Sequence, residues 1–346
     1  MGKRHIYDLD YDNFALQLGA QFASYAPAIW NYLYREFVDD FGNMASLPST
    51  LRHQLDAQFS IDQPDAGDWV ISPDGNTRKD LLVLADGQSV EVVLLRYRQR
   101  FSACVSTQVG CACGCVFCAT GQMGFVRQLS AGEIVAQVVH IQRVLKRQQH
   151  ALNNVVLMGM GEPLLNYEAV LSAVHRLTAS RAMGLAPKRI TLSTAGIVPE
   201  IRRLADEPVP IKLALSLHAA SDALRDDLMP INRRYPLASL WLALRDYTTK
   251  TGRRVFLEWL MIKGVNDAPR DARDLVGWAG DLPVHVNLIH INPSELFTGE
   301  PSSEVAISEF TAVLDQAGIP HTVRQRRGVT IQAGCGQLRR RQNITT

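Results

Sequence analysis

Five of the six cysteines in this chain lie within the fifteen positions from Cys104 to Cys118, and the sixth, Cys335, stands alone near the end. The first residues contain several aspartates and no apolar stretch, and nowhere do 18 apolar residues follow one another. This pattern predicts a cytoplasmic protein that is neither secreted nor inserted in a membrane. In such a protein, bunched thiols indicate metal or redox chemistry rather than a disulfide framework.

The composition is that of a globular protein with a sizeable core. Of the 346 residues, 47% are hydrophobic and 20% are charged, which excludes disorder as the dominant state. Lys and Arg number 36 against 34 Asp and Glu, so the net charge of +2 is no argument for nucleic acid binding. Any such binding must come from local basic patches. At roughly 150 residues per domain, the length predicts about two domains.

The N-terminal quarter differs in pattern from the rest. Apolar residues at helical spacing over 25–41 and a capped run over 51–59 predict a small helical accessory domain with its linker, covering residues 1–85. The Asp-, Gly- and Pro-rich segment 64–75 is predicted to be a connection. Extended runs on both sides of Asp86-Gly87 predict a hairpin.

From residue 103 onward, short apolar strands alternate with amphipathic helices. The predicted strands are 103–106, 155–158, 189–193, 212–216, 255–261, 284–289 and 321–324. The predicted helices are 130–149, 167–180, 197–205, 221–228, 237–250, 269–279 and 303–317. Repeated strand–helix units predict an α/β fold in which a parallel sheet forms a partial (β/α) barrel over residues 86–346. The chemistry of such barrels lies at the C-terminal ends of the strands.

Cys111, Cys115 and Cys118 have the spacing C-x3-C-x2-C. Three thiolates can hold three irons of a cubane cluster and leave the fourth iron open to a chelating ligand, whereas an electron-transfer cluster normally has four cysteines. The alternative is a structural zinc site that adds Cys104, which is disfavoured because a second C-x2-C pair is missing. Cys113 falls at an odd spacing and is expected to be a small packing residue.

Together with Phe117 and the Gly-rich segment 119–125, this spacing resembles the radical S-adenosylmethionine (SAM) superfamily. Further motifs, in order along residues 25–340, resemble the RlmN/Cfr family of RNA adenosine methyltransferases. They are Gln108-Val-Gly-Cys111, Met158-Gly-Met-Gly-Glu-Pro-Leu-Leu-Asn166, Leu192-Ser-Thr-Ala-Gly-Ile-Val-Pro199, Leu215-Ser-Leu-His218, Leu228-Met-Pro-Ile-Asn232, Val286-Asn-Leu-Ile-His-Ile-Asn-Pro293 and Cys335-Gly-Gln-Leu338.

The resemblance implies an enzyme with one 4Fe-4S cluster on the three spaced cysteines and SAM on the open iron. It also implies a set of SAM contacts at the ends of the predicted strands, namely Gly161, Glu162, Ser193, Ser216, Leu217, His218 and Asn292. Alone, His218 would be interpreted as a core histidine of the barrel and Glu162 as the start of a helix. Their places in the motifs favour cofactor binding.

The family's reaction implies roles for three further residues and two SAM molecules per turnover. Cys335 accepts a methyl group from the first SAM, and a radical formed from the second removes a hydrogen atom from that methyl group. The methylene carbon then bonds to an adenine carbon, and Cys104 attacks the Cys335 sulfur to release the product, leaving a transient disulfide. Glu91 matches the family's proposed proton acceptor, with a solvent-facing strand carboxylate as the alternative.

The substrate predicted from the resemblance is the adenosine at the peptidyl transferase centre of 23S rRNA, methylated at carbon 2, with some tRNAs as further substrates. Carbon 8 of the same adenosine is the alternative, because residues 331–334 contain no acid where close relatives carry an aspartate. A rival of a different class is a non-catalytic, zinc-stabilised RNA-binding protein.

Arginines near the predicted active site suit contacts with the phosphates of single-stranded or unstacked RNA. They form three groups: Arg96, Arg98 and Arg100; Arg324, Arg326 and Arg327; and Arg339, Arg340 and Arg341. The resemblance also implies a low-potential electron donor such as flavodoxin or ferredoxin. We further expect a monomer with no membrane partner.

Overall fold

The computed structural model of the chain describes residues 3–61, 65–98, 100–292 and 297–338. The N-terminal region is mostly helical, as predicted. It contains β1 (Arg4–His5), α1 (Tyr11–Gln17), α2 (Ala26–Asn31), α3 (Ser49–Gln58) and β2 (Phe59–Ser60), and the two short strands pair in parallel. The predicted helix over 25–41 is shorter than expected. After α2 it continues as a π-helical turn, Tyr32–Glu36, and ends at Phe37, whose φ of 57° is left-handed.

The strands that follow in the chain are β3 (Asp65–Ile71), β4 (Thr77–Val83), β5 (Ser89–Tyr97), β6 (Arg100–Cys104), β7 (Gln108–Gly110), β8 (Phe125–Gln128), β9 (Asn154–Leu157), β10 (Ile190–Thr194), β11 (Lys212–Ser216), β12 (Val255–Met261), β13 (Val284–His290) and β14 (His321–Val323). The remaining α-helices are α4 (Ala119–Gln122), α5 (Ala131–Lys146), α6 (Tyr167–Thr178), α7 (Val198–Leu204), α8 (Asp222–Leu228), α9 (Leu237–Thr251), α10 (Pro269–Ala279) and α11 (Glu304–Gln316). Single 3-10 turns lie at Ile6–Asp8, Ala23–Tyr25, Phe41–Asn43, Pro163–Asn166, Pro187–Arg189, Pro230–Arg233 and Val329–Ile331.

Ten strands form one sheet in the order β14-β13-β12-β11-β10-β9-β6-β5-β4-β3. The strands from β14 to β6 in this order are parallel, and helices connect them along the chain. Each predicted strand of the repeating region is present to within a few residues, and the predicted α/β partial barrel is confirmed. The central strands are apolar along most of their length because neighbours cover both of their faces.

Three antiparallel strands extend the barrel sheet beyond β6. The hairpin at Asp86-Gly87 is confirmed between β4 and β5. The expectation that 64–75 is only a connection is wrong, since β3 pairs with β4 there. The Asp, Gly and Pro residues of this segment masked the sequence pattern of a short strand. The strand lies at the edge of the sheet, where such residues are tolerated. The division of the chain at residue 85 stays a prediction, and it falls in the turn of this hairpin.

The N-terminal helices pack on the barrel helices α5 and α6. Arg143 of α5 donates to the carbonyls of Phe37 (2.7 Å) and Val38 (2.7 Å), and Arg176 of α6 donates to those of Leu9 (3.0 Å) and Asp8 (2.6 Å). These charge-assisted bonds satisfy carbonyls at the ends of short helices and loops. Within the part of the chain that the structure describes, no helix is both long and apolar enough to span a bilayer.

Candidate active site

An open cavity with about 970 Å³ of empty space lies at the C-terminal ends of the parallel strands. The three spaced cysteines and Cys335 line the same cavity, although more than 200 residues separate them in the sequence. Of the predicted SAM contacts, Gly161, Glu162, Ser193, Ser216, His218 and Asn292 line it as well. The fold therefore brings most of the predicted site residues together around one space.

The cysteine loop is fixed between the two strands of a small hairpin, β7 and β8. Gly110 ends β7 with a φ of 76°, and a Cβ at this position would lie 1.9 Å from the carbonyl oxygen of Gly124. The same carbonyl accepts the N–H of Cys111 at 3.0 Å. Cys118 closes the loop, because its N–H donates to the carbonyl of Cys115 at 3.1 Å and it precedes the first turn of α4. These backbone contacts set the orientation of the three thiols.

Cys113 is buried among apolar residues that include Leu228, Met229 and Leu260. It also lines the cavity, and its N–H donates to Cys111 Sγ at 3.5 Å. Among residues 3–61, 65–98, 100–292 and 297–338, no three His, Cys, Asp or Glu side chains converge as a single metal ion would require. A cubane cluster differs in that each of its protein ligands binds a separate iron.

The loop that carries Cys335 is bonded directly to the cysteine loop. Ala119 N–H donates to the carbonyl of Gly336 (2.7 Å), and Thr120 Oγ1 donates to that of Leu338 (2.6 Å). On the other side, Asn292 Nδ2 at the end of β13 donates to the carbonyl of Cys335 at 3.2 Å. Cys335 is exposed and faces the cavity. An accessible thiol is thus held beside the three buried or half-buried ones.

Cys104 ends β6 and does not line the cavity, yet it interacts electrostatically with Cys335. Burial raises the pKa of the Cys104 thiol to about 12, and the neighbouring Cys335 contributes to the increase. Both thiols are free in the structure. The two cysteines that the sequence predicted to exchange a disulfide therefore lie within electrostatic range of each other, although only Cys335 lines the cavity.

Glu162 is a buried carboxylate at the centre of the predicted SAM contacts. Its Oε1 accepts the N–H of Leu164 at 3.0 Å and its Oε2 accepts that of Ala195 at 2.7 Å. Burial outweighs these bonds and raises the pKa of the carboxyl to about 7. An oriented buried carboxylate of this kind suits a cationic group such as the amine of SAM.

His218 adopts an unusual backbone conformation, with φ at 59°. Its Nδ1 accepts the N–H of Leu260 at 3.0 Å, so the neutral ring carries its proton on Nε2. Burial lowers the pKa of His218 to about 3, which keeps the ring neutral. The ring of Phe117 meets it edge-on, with the centroids 4.9 Å apart. A left-handed histidine held from several sides is typical of a ligand site.

The cavity contains a further carboxylate that has an unused oxygen. Glu258 is 4% exposed, and its Oε1 accepts Asn287 Nδ2 at 2.8 Å. Its Oε2 is buried and has no hydrogen-bond partner among the residues that the structure describes. A buried acceptor without a partner is costly unless a ligand donates to it. With the three thiols, this acceptor makes the cavity chemically suited to a cluster and to a ligand rich in hydroxyl and amino groups, such as SAM.

Besides Cys104, two predicted site residues lie outside the cavity. Leu217 is fully buried in the core, its N–H donates to the carbonyl of Glu258 at 3.0 Å, and its own carbonyl accepts Arg225 Nε at 3.1 Å. Its placement gives no support to a contact with SAM. Glu91 is buried on β5, where Oε1 lies 2.8 Å from Lys79 Nζ. The alternative of a solvent-facing carboxylate is wrong for Glu91.

Lys79 connects Glu91 to the loop of Cys335. Its ammonium donates to the carbonyl of Gln332 at 3.0 Å, three residues before Cys335. Lys79 of β4 and Cys104 of β6 both pair with Val93 of β5, so their side chains lie on the same face of the sheet. Glu91 is thus linked through Lys79 to the loop of Cys335, and it does not itself line the cavity.

A basic groove opens beside the cavity, and Cys335, Asn292 and Arg324 line both. Its other walls include Tyr97, His290, Gln325, Arg326 and Arg327. The guanidinium of Arg327 stacks over the Tyr97 ring at 4.4 Å. Of the described residues that line the groove, none is Asp or Glu. The predicted group Arg339, Arg340 and Arg341 lies outside the described residues.

Three features of this region were not predicted from the sequence: the buried Glu258, Arg324 as a partner of Glu258, and the buried Arg225. Arg324 Nη2 lies 3.3 Å from Glu258 Oε1, whereas the sequence predicted only an RNA contact for it. Arg225 is fully buried and donates to the carbonyls of Leu217, Ser216 and Ala195 at the ends of two strands. The sequence did contain one signal for Glu258, which is a glutamate inside the apolar run Val255–Met261. A charged residue is rare in a buried strand unless it has a partner.

Comparisons with known proteins agree with this geometry. The family model described as the Radical SAM superfamily matches residues 105–276. The chain is 46% identical over 337 residues to the dual-specificity RNA methyltransferase RlmN 1 of Myxococcus xanthus, covering 97% of this chain and 94% of that protein. Its fold matches the crystal structure of a radical SAM methyltransferase from Sphaerobacter thermophilus with a TM-score of 0.95 and 45% identity, covering 97% of this chain and 99% of that one.

Proposed function

The chain belongs to the RlmN family of radical SAM RNA methyltransferases, and on that basis we propose that it methylates carbon 2 of the adenosine at the peptidyl transferase centre of 23S rRNA. It is an enzyme that uses a 4Fe-4S cluster and SAM to methylate RNA. The rival interpretation, a non-catalytic zinc-stabilised RNA-binding protein, is wrong because similarity at this level extends over almost the whole chain. Relatives named dual-specificity RNA methyltransferases support a second RNA substrate, for which we propose tRNA.

The observation that carries the proposal is the position of Cys335. An exposed thiol faces the cavity that the three cluster cysteines line, and hydrogen bonds from Ala119 and Asn292 hold its loop there. A cysteine with only a packing role would not need such access. The arrangement suits a thiol that carries a one-carbon group between SAM and RNA.

We assign the cluster to Cys111, Cys115 and Cys118, and SAM to the cavity beside them. Glu162, Ser193, Ser216, His218 and Asn292 are the proposed SAM contacts, with Gly161 allowing close approach of the backbone. When bound, the cluster and SAM supply the radical that abstracts a hydrogen atom from the S-methyl group of Cys335. Two SAM molecules are consumed in each turnover, one as methyl donor and one as radical source.

Two cysteines then complete the transfer. The methylene radical adds to the adenine carbon, so that the methylene group joins this carbon to Cys335 Sγ. The adduct then loses its unpaired electron, which the cluster would accept, and the adenine carbon loses its proton to a base. The thiolate of Cys104 attacks Cys335 Sγ, and the S–C bond breaks with its electron pair on the methylene carbon, which takes up a proton and becomes the methyl group of the product. A Cys104–Cys335 disulfide remains and needs two electrons to be reduced. The electrostatic influence of Cys335 on Cys104 supports this sequence.

We keep Glu91 as the proposed acceptor of the proton that adenine loses. Because Glu91 does not line the cavity and its partner Lys79 is bonded to the Cys335 loop, this role requires that the loop move or that a proton pass along the buried pair. Glu91→Gln distinguishes the two roles of the carboxylate. Loss of methylation with normal S-methylation of Cys335 supports the base, whereas loss of both indicates that Glu91 only supports the loop.

The RNA enters, in this proposal, along the basic groove beside Cys335. Tyr97 offers a face for an unstacked base, and Arg326 and Arg327 offer charge to phosphates. We also propose a monomer that acts in the cytoplasm and receives electrons from flavodoxin or ferredoxin. Carbon 8 methylation is the alternative outcome for the same adenosine.

The deciding experiment maps modified adenosines by mass spectrometry in 23S rRNA and tRNA from cells with and without the gene. A 2-methyladenosine that disappears with the gene supports the proposal, and 8-methyladenosine selects the alternative. Cys104→Ala protein should accumulate a covalent RNA adduct on Cys335, with Cys113→Ala as the matched control. Absence of both the adduct and S-methyl-Cys335 would refute the two-cysteine mechanism.

A further inference from the structure

We propose that Arg324 is a positioning residue whose charge favours ionisation of the two exchanging thiols, Cys335 and Cys104, and that Glu258 holds Arg324 in place. The inference rests on the proposed function of these two cysteines. It assigns to Arg324 a task in the thiol chemistry, whereas the sequence suggested only an RNA phosphate contact.

Arg324 is fixed at both ends. Its N–H donates to the carbonyl of Leu288 at 2.8 Å, which continues the pairing of β14 with β13. Its Nη2 lies 3.3 Å from Glu258 Oε1, which also accepts Asn287 Nδ2. The half-buried guanidinium lines the reaction cavity and the basic groove, and Cys335 lines both as well. The ion pair with the buried Glu258 thus holds the Arg324 guanidinium at the border between the cavity and the groove, where Cys335 also lies.

The environment of the two thiols otherwise opposes their ionisation. Desolvation by the surrounding protein raises the pKa of Cys335, although this residue is accessible from the cavity, and burial raises that of Cys104. Glu258 raises the pKa of Cys335, and Cys335 raises that of Cys104. The positive charge of Arg324 lowers both pKa values, and Tyr97 faces the same group of charges from β5. Arg324 is therefore the counter-charge shared by the two cysteines.

Both chemical steps assigned to these cysteines use a thiolate. In the first, Cys335 S⁻ attacks the methyl carbon of SAM, an S–C bond forms, and S-adenosylhomocysteine leaves with the electron pair of the broken bond. In the last, Cys104 S⁻ attacks Cys335 Sγ as described above. Arg324 lines the cavity and the groove together with Cys335, and its charge favours the reactive form of the thiol in each step. The buried Glu258 pairs with this cation.

The test is the pH dependence of iodoacetamide alkylation at Cys335 in full-length protein with a reconstituted cluster and an unmethylated Cys335. Tryptic cleavage after Arg327 and Arg339 leaves a peptide whose sole cysteine is Cys335, so mass spectrometry follows this thiol alone. Arg324→Gln retains a hydrogen-bond donor for Glu258 and removes the charge. An opposite charge at close range shifts a pKa by about 1 to 3 units, so we expect the alkylation midpoint to rise by at least about one pH unit.

Three further variants separate the effect of the Arg324 charge on the alkylation midpoint from other effects of the substitution. Arg324→Met should raise the midpoint similarly, Arg324→Lys should restore much of the shift, and Arg326→Met should leave the midpoint unchanged. At a fixed pH below the midpoint, the Gln variant should react about tenfold more slowly than the unchanged protein. A folded Arg324→Gln protein with an unchanged midpoint refutes the inference, as does an equal shift in Arg326→Met. Failure of Cys335 to become S-methylated in cells would instead refute the proposed function, and the alkylation profile does not depend on it.

Discussion

Replacing Glu162 by Gln should remove a pH dependence of stability that the buried carboxylate creates. The structure raises the pKa of Glu162 from 4.5 to about 7 because burial disfavours the charged form. The folded state therefore holds the proton more tightly than the unfolded chain. The corresponding stabilisation is fully present below the unfolded pKa of 4.5 and is lost as the pH rises through about 7. The amide of the Glu162→Gln side chain cannot ionise, so the variant should not show this loss.

The size of the effect follows from the shift in pKa. Each pKa unit corresponds to about 1.4 kcal/mol, so the Glu162 contribution falls by about 2 to 3 kcal/mol between pH 5 and pH 8. An unfolding entropy of about 2.1 cal/mol/K per residue gives about 0.7 kcal/mol/K for 346 residues. The melting temperature of the unchanged protein should consequently fall by about 3 to 4 °C more than that of Glu162→Gln over this pH interval.

Circular dichroism melting of the SAM-free protein at pH 5 and pH 8 measures this difference directly. Glu168→Gln is the matched control, because the Glu168 side chain is 79% exposed and pairs only at the surface with Arg203. Its pH dependence should equal that of the unchanged protein. If Glu162→Gln and the unchanged protein lose the same number of degrees between the two pH values, Glu162 does not carry a raised pKa. Saturating SAM should reduce the pH dependence, because its amine would stabilise the ionised carboxylate.

Three other predictions concern the framework around the cavity. Cys118→Ala should lose most of the iron and the brown colour after anaerobic reconstitution, whereas Cys113→Ala should retain both, as iron analysis would show. Arg225→Met should lower the free energy of unfolding by about 2 to 4 kcal/mol in urea titrations, because strand-end carbonyls lose their buried donor. Gly159→Ala should destabilise by about 1 to 3 kcal/mol in the same assay, because its Cβ would lie 2.7 Å from the backbone of Val105.

Much of the barrel was predictable because its strands are short apolar runs between amphipathic helices. The strand predicted at 255–261 has these bounds in the structure, since burial on both faces leaves a continuous apolar signal. The edge strand β3 left no such signal. Trp69, Val70 and Ile71 are exposed, and its first residues include Asp and Gly. Its place in the sheet depends on pairing with β4, which a local pattern does not contain.

The position of a site residue was predictable where a motif places that residue at a strand end. It was less predictable where contacts between distant parts of the chain determine the position of the side chain. Glu162 and His218 line the cavity as their motifs indicated, but Leu217 between Ser216 and His218 does not. Ser216 ends β11, Leu217 is buried in the core, and His218 follows with a left-handed φ of 59°. A motif thus identifies a strand end, and the local backbone conformation selects which of its residues face the cavity.

The partners of the arginines at the site show why basic residues in the sequence are a poor guide to RNA contacts. Three of its arginines serve different partners: Arg225 binds backbone carbonyls, Arg324 pairs with Glu258, and Arg327 stacks on Tyr97. Arg324 and Arg327 line the groove suited to RNA, whereas Arg225 does not. A run of basic residues beside a reactive cysteine is therefore weak evidence for phosphate contacts, because buried thiols and strand ends also need cations. The partner of each guanidinium, which the fold determines, decides whether it binds RNA or supports the chemistry.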